Sequence, residues 1–267
     1  MIRGIYTAVS GMITQEGKQN VITNNLSNVN TVGFKGEELS VKEFDRVLLY
    51  NYDKVVNGKN YRQDLGEISL GSKIDDVNTN FTQGSFEKTD KATDFAIEGR
   101  GFFTVQRNDG IGNNRYYTRD GSFHINSRGY LVNSSGDNIL GINLETEQIE
   151  PIRVNSNNLA LDGEGKLNVD GSPSYRFYTC DFGQENNVNE DYKSLQKVGD
   201  NLYTGENARE TNNTAIKQYN LEKSNVNVIK EMVEMMTVMR NFETNQKVIQ
   251  SLDETLGKAV NELGSIR

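Results

Sequence analysis

The stretch VIKEMVEMMTVMRNFETNQKVIQSLDETLGKAVNEL, residues 228–263, decides the architecture of this chain. Val228, Met232, Met235, Met239, Phe242, Gln246, Ile249, Asp253, Leu256, Val260 and Leu263 follow one another at alternating steps of four and three. Nine of these eleven positions are apolar, and only Gln246 and Asp253 interrupt the row. A repeat of 3.5 residues sustained this long predicts a helix that pairs as a coiled coil. At ~1.5 Å rise per residue it spans on the order of 55 Å, too long for an ordinary globular helix. Ser224 or Asn225 is placed to cap its start by accepting a bond from a free backbone N–H. Met232, Met235, Met236 and Met239 add a pliable surface, flanked by Lys230, Glu231, Glu234 and Arg240. The plainer reading, a core helix inside its own domain, fits that length and those methionines less well.

A seam of this kind needs a partner, and the other end of the chain supplies one. From Ile2 to Asn30 the residues Ile2, Ile5, Val9, Met12 and Ile13, then Ile22, Leu26 and Val29, recur at helical steps. The stripe is weak between them, where it passes through Glu16 and Gln19, so this helix is marginal on its own. The predicted fold is α+β: long N- and C-terminal helices pairing as a coiled-coil layer, with a central all-β domain. Its parts are an N-terminal helix over 1–35, an extended connecting segment over 36–89, a β domain over 90–215 and a C-terminal helix over 216–267. The expected subunit interface comprises Ile5, Val9, Met12, Leu26, Val228, Met232, Met235, Met239, Phe242, Ile249, Leu256, Val260 and Leu263.

The middle reads as β because short β-branched and aromatic runs alternate with turn residues. Asp94–Ile97 and Phe102–Val105 flank Glu98-Gly99-Arg100-Gly101. Arg115–Thr118 and Ser122–Ile125 flank Arg119-Asp120-Gly121, whose Asp-Gly pair suits a tight hairpin. Tyr130–Asn133 and Lys166–Val169 follow similar glycine turns, and Tyr175–Phe182 reads as one longer strand. A short helix is expected around Val41–Tyr50, and loops over 183–200 and 205–213.

Composition narrows the function. The net charge of −8 disfavours nucleic acid and anionic membranes. Cys180 is the only cysteine and His124 the only histidine, which excludes an internal disulfide and a multi-histidine metal cluster. No apolar run approaches the ~20 residues of a membrane span. Met1-Ile2-Arg3-Gly4-Ile5-Tyr6 does not begin a cleavable secretion signal, so any export is expected to keep these residues. Gly99-Arg100-Gly101 lacks the third glycine and the helix of a dinucleotide fingerprint. Lys166 stands where a calcium loop starting at Asp162-Gly163-Glu164-Gly165 needs an oxygen ligand. Asp75-Asp76 and Glu37-Glu38 read as solvated carboxylates, His124 as a surface strand residue facing away from Phe123 and Ile125, and Cys180 as packing. No cofactor, metal or catalytic set is expected.

Four ordered segments resemble the bacterial flagellar rod and hook axial proteins. Asn24-Asn25-Leu26-Ser27-Asn28-Val29-Asn30-Thr31-Val32-Gly33-Phe34-Lys35 is similar to that family's N-terminal signature. Asp94-Phe95-Ala96-Ile97-Glu98-Gly99-Arg100-Gly101-Phe102-Phe103 resembles its central motif, as does Tyr117-Thr118-Arg119-Asp120-Gly121-Ser122-Phe123 with the following Gly129-Tyr130-Leu131-Val132. Ser224-Asn225-Val226-Asn227, Glu231-Met232-Val233 and Arg240-Asn241-Phe242-Glu243-Thr244-Asn245 resemble the C-terminal segment. Length, Met1-Ile2-Arg3 and Ser224–Val228 look most like the distal rod type. The resemblance implies a non-enzymatic subunit of a helical tubular drive shaft, exported through the flagellar type III apparatus to the basal body. Its partners would be further copies, other rod proteins and the hook protein. Gly33 is expected to end the first helix in a left-handed conformation, with Phe34 closing on Val29. Asn24 and Asn28 share one helix face, where buried amides would fix register and exposed ones would not. The alternative from another class is a secreted adhesin or wall-binding protein with a β head on a coiled-coil stalk. A carboxylate-dependent wall hydrolase ranks third.

Overall fold

The computed structural model describes residues 2–56, 59–108, 113–154, 159–162, 165–169, 172–183, 192–211 and 214–264. Gly163, Glu164, Asp170, Gly171 and the centre of the expected 183–200 loop lie outside these residues, as does the side chain of Leu263. The chain divides into two compact units. One comprises Met1–Leu26, Glu37–Asn78 and Val228–Arg267; the other comprises Ser27–Gly36 and Thr79–Asn227.

Among the described residues the first unit contains two helices, α1 (Ile2–Ser27) and α2 (Val228–Gly264). The expected coiled-coil layer is not what the structure has: it shows these two helices and strands. Along α2 the covered positions are Glu234 and the row Val228, Glu231, Met235, Val238, Phe242, Asn245, Ile249, Leu252, Leu256 and Ala259. Their spacing is three and four, but the phase differs from the apolar row. Met232, Met239 and Val260, expected in the seam, are 49%, 44% and 70% exposed. The cause lies in the first helix. A knob needs a hole lined by four side chains, whereas α1 offers glycine at the approach: a Cβ on Gly11 would stand 3.0 Å from Asn245 Nδ2, and one on Gly4 3.6 Å from Leu252 Cδ1.

Residues 41–50 form no helix. Strand Glu37–Glu43 pairs with Ser72–Thr79, and strand Val47–Val56 forms a separate antiparallel ribbon with Lys59–Ile68. The β-branched and aromatic run Val47, Tyr50, Tyr52, Val55 and Val56 outweighs the local helical spacing. Helix α1 lies on the first of these sheets. Thr7 Oγ1 donates to Leu70 O at 3.1 Å and Ser10 Oγ accepts the Ser72 N–H at 3.3 Å. Gly17 gives room to Ile74 and Leu39, since a Cβ there would meet Ile74 Cδ1 at 2.7 Å.

Among its described residues the second unit is built of strands, turns and loops, with one turn of 3-10 helix at Tyr192–Ser194. Its centre is Phe102–Asn108, flanked in the sheet by Asn138–Asn143 and Asn113–Thr118. Successive side chains alternate between faces, and both faces are buried here. Phe103 and Val105 join a cluster with Phe95, Phe123, Leu131, Ile139 and Phe177. Phe102 joins Phe81, Tyr117, Cys180, Tyr192 and Tyr203 on the other face. The expected single strand 175–182 is interrupted at Tyr178, leaving Ser172–Phe177 and Thr179–Asp181. Tyr178 instead donates its N–H to Leu140 O and accepts from Thr104 N–H. Gln196–Gly199 and Arg209–Glu210 are strands in segments expected to be loops.

Asp120-Gly121 closes no hairpin. Asn113–Thr118 pairs with Phe102–Asn108 and Leu202–Thr204, while His124–Ile125 pairs with Leu131–Val132. Gly121 does not carry the positive φ that a primed turn needs. It is glycine because the Phe95 carbonyl passes over it: a Cβ would lie 1.6 Å from that oxygen. Gly99, by contrast, has a φ of 93° and open space where its Cβ would be. Gly121→Ala should therefore lose more than about 3 kcal/mol, since backbone must move, and Gly99→Ala only about 1 kcal/mol for its φ. Thermal unfolding followed by tyrosine circular dichroism checks the order; equal losses would mean that Gly121 has room.

Candidate functional site

After α1 ends at Ser27, the chain turns through Asn28–Gly33 in the second unit. Gly33 does take a left-handed φ of 66°, but six residues beyond the helix, so it is not the helix cap. Thr31 N–H bonds to Asn28 O and Phe34 N–H to Thr31 O. Gly33 N–H donates to Glu222 O at 2.7 Å. A Cβ on Gly33 would stand 2.5 Å from the carbonyl carbon and oxygen of Arg119. Conformation and close approach both require glycine. Phe34 is buried, with Lys197 Nζ 4.2 Å from its ring centre.

Lys35 comes next, and its ammonium is 1% exposed. Nζ lies 2.6 Å from Glu222 Oε1 and donates to Thr82 O at 2.9 Å. Glu222 Oε1 also accepts the Gly84 N–H at 2.9 Å, and its Oε2 lies 3.3 Å from Arg119 Nη1. Arg119 Nη2 donates to Gly99 O at 2.8 Å, and its guanidinium stacks 5.2 Å from the centre of the Phe102 ring. Burial holds the Lys35 amine below its ordinary pKa, although Glu222 raises it. Glu222 thus joins the N-terminal signature, through its carbonyl to Gly33 and its carboxylate to Lys35, to both central motifs, through Arg119, Gly99 and Phe102. Asn225 closes the same region: its Oδ1 accepts Gly36 N–H at 2.9 Å and its Nδ2 donates to Asn80 O at 2.7 Å.

The first unit uses another amide. Asn25 is 3% exposed; it accepts Glu37 N–H at 2.9 Å and donates to Glu37 O at 2.8 Å and Glu231 Oε2 at 3.3 Å. Burial lifts the Glu231 carboxyl above its ordinary pKa, and the Asn25 N–H opposes that. Asn24 is exposed and Asn28 half-buried, so neither is the buried amide of this helix. Of the expected interface residues, Ile5, Met12, Leu26, Val228, Met235, Phe242, Ile249 and Leu256 are half-buried. Val9, Met232, Met239 and Val260 are exposed. Ile229, Met232, Val233, Met236 and Met239 share one exposed apolar face of α2, and Tyr6, Val9 and Ile13 one of α1.

The remaining candidates sit in structural places. His124 is exposed in its strand, Cys180 is buried with its thiol pushed up by burial, and Gly101 and Phe102 lie in the interior. Among the described residues no three His, Cys, Asp or Glu side chains are grouped to hold a metal ion. Lys35 and Arg119 stand inside recognised motifs, so their presence was readable; Glu222, in an ordinary polar run, carried no signal.

Three family patterns match the chain. That of the flagella basal body rod protein covers residues 5–35, the flagellar hook protein FlgE/F/G D1 domain covers 96–171, and the flagellar basal body rod FlgEFG C-terminal domain covers 217–262. The flagellar hook-basal body complex protein FlhO of Bacillus subtilis is 29% identical over the whole of both chains. The flagellar basal-body rod protein FlgG of Borreliella burgdorferi is 34% identical over 98% of each. The flagellar basal-body rod protein FlgF of Caulobacter vibrioides is 31% identical over all of both.

The charge arrangement fixes an order of mutational effects. Glu222→Gln leaves two buried cations without a counter-charge and should cost about 3–5 kcal/mol. Lys35→Met should cost less, because Glu222 keeps Arg119 and the Gly84 N–H. Urea unfolding of the full chain measures both; the reverse order would show that Lys35 is the indispensable partner.

Proposed function

We propose that this chain, which belongs to the flagellar basal-body rod protein family, assembles with copies of itself into a helical shaft that carries torque towards the hook. Membership makes it a structural component of the bacterial flagellar basal body, in a family that is not enzymatic. Within the basal body the distal part of the rod is the proposed position, supported by several relatives named FlgG that cover nearly the whole chain. Other rod proteins and the hook protein are the proposed neighbours. Export through the flagellar type III apparatus is the proposed route. No described helix is long and apolar enough to cross a membrane.

The observation that carries this reading is the apolar surface left open on the first unit. Helix α2 exposes Ile229, Met232, Val233, Met236 and Met239, and α1 exposes Tyr6, Val9 and Ile13. The ribbon Val47–Val56/Lys59–Ile68 exposes Val47, Tyr52, Val55, Tyr61 and Leu65. A lone two-stranded ribbon is marginal in water, and apolar patches of this extent mark contact surfaces. Each such side chain gains about 1.5–3 kcal/mol when fully covered. An open helical assembly needs two different patches per subunit, one for the copy above and one for the copy below. Helix faces and ribbon supply them, and the half-buried row through Met235 and Phe242 stays with the subunit's own unit.

Met236 tests the reading because it is exposed in the single chain. Met236→Asp should leave melting within about 1 kcal/mol of the parent, leave export intact and abolish swimming in soft agar. A charge enclosed between subunits without a partner costs several kcal/mol, roughly. Normal swimming by an exported Met236→Asp chain would remove this helix face from the assembly.

A further inference from the structure

Four of the chain's six methionines fall within residues 232–239, and on α2 they divide by face. Met232, Met236 and Met239 follow at steps of four and three and are 49%, 52% and 44% exposed. Met235, the residue before Met236, is half-buried on the row that carries the buried Val238. Met12 on α1 is half-buried too. The exposed Ile229 and Val233 continue the open face towards the start of the helix, and the exposed Glu243 ends it.

A thioether is apolar and pliable, and on this face it is the group that a mild oxidant changes. Its sulfur lone pair attacks one oxygen of hydrogen peroxide; the S–O bond forms as the O–O bond breaks, and water leaves. Sulfur is oxidised to the sulfoxide and the peroxide is reduced by the same electron pair. The sulfoxide oxygen accepts hydrogen bonds, and the group donates none. In water it is satisfied; enclosed against apolar side chains it lacks a donor, which is costly. The backbone N–H groups around it are spent within the helix. Because the three side chains lie outside the covered row, their oxidation leaves the packing of α2 in its own unit unchanged.

We propose that Met232, Met236 and Met239 form a peroxide-sensitive modification site, at which conversion to sulfoxide stops the open face of α2 from accepting a neighbouring copy. The proposal rests on the reading that this face is a contact between subunits. Reactivity follows exposure in the single chain, so these three precede Met235 and Met12. Neighbours that cover the face protect it, so the control acts on the chain before it assembles. A reductase that returns sulfoxide to thioether restores the face. The lone thiol does not compete: Cys180 is buried, and burial pushes its thiol up, away from the reactive thiolate.

The test treats the monomeric full chain with hydrogen peroxide, maps each methionine by tandem mass spectrometry and follows association by sedimentation at high concentration. Met236 should gain oxygen several-fold faster than the adjacent Met235, with the melting temperature unmoved. The sedimenting assembly should fall several-fold and return after treatment with methionine sulfoxide reductase. Equal rates at Met235 and Met236, or full association of chain oxidised at all three sites, would overturn the proposal. In the latter case, loss of association in Met236→Asp would leave the assembly reading standing. Untreated parent that stays as monomeric as Met236→Asp would remove both. The triple variant Met232→Leu/Met236→Leu/Met239→Leu is read only as treated against untreated, which should not differ. A fall equal to the parent's would put the damage elsewhere in the chain and end the proposal.

Discussion

Glu222 is the group on which the second unit turns. A carboxylate taken out of water costs several kcal/mol, and attraction to one cation recovers that only with good geometry and satisfied lone pairs. Here the carboxylate meets two cations and a backbone N–H, while Lys35 and Arg119 each bond onward to a carbonyl. Only Arg119 Nε is left without an acceptor. The net gain in stability from such a group is small, because an apolar trio of the same volume would serve as well. Its effect is on register. Lys35 cannot find another buried carboxylate one residue away, so the turn at 28–36, the strand ending at Thr118 and the strand Asn220–Glu222 are fixed relative to one another.

That constraint explains several glycines and amides together. With Lys35 drawn in, Gly33 is pressed against the Arg119 carbonyl, where no Cβ fits. Gly84 has no room either, since a Cβ would lie 1.9 Å from Lys223 O. Asn225 then bonds Gly36 and Asn80 where these chain segments leave the unit, and Asn25 does the same for Glu37 in the other. Each amide replaces a backbone partner that a regular sheet would have provided.

Much of this was legible in the sequence. The apolar row from Val228, the β character of 95–105 and the four motifs were readable from spacing and residue type, whereas 216–227, expected within the C-terminal helix, carry the strands Ala215–Gln218 and Asn220–Glu222. The phase of α2 was not readable. Hydropathy selects Met232 and Met239, but the covered face runs through Glu231 and Asn245, because its neighbours are the amide of Asn25 and the bare backbone at Gly11. Periodicity cannot register a polar contact or a glycine groove. Asp120-Gly121 misled for a related reason: the dipeptide suits a turn, yet its glycine answers to a carbonyl from another strand. Lys35 and Glu222 lie 187 positions apart, and no local pattern links them.

The two units divide the physical work unequally. The second carries the large side chains, Phe95, Phe102, Phe103, Tyr192 and Tyr203, each nearly or wholly removed from water. Burial on that scale lets a domain stand alone. Among the described residues the first has few: Ala8, Ile22, Leu39 and Val238 are its buried apolar residues, beside polar Thr14 and Asn25. A helix of 37 residues with one thin covered stripe gains little from its own unit relative to the entropy of ordering it. The apolar residues it withholds from that stripe, Ile229, Met232, Val233, Met236 and Met239, lie on the open side. Had selection favoured stability of the single chain, those residues would face inward and Glu231 and Asn245 outward. The observed phase is the reverse, which is the pattern expected when neighbours complete the fold.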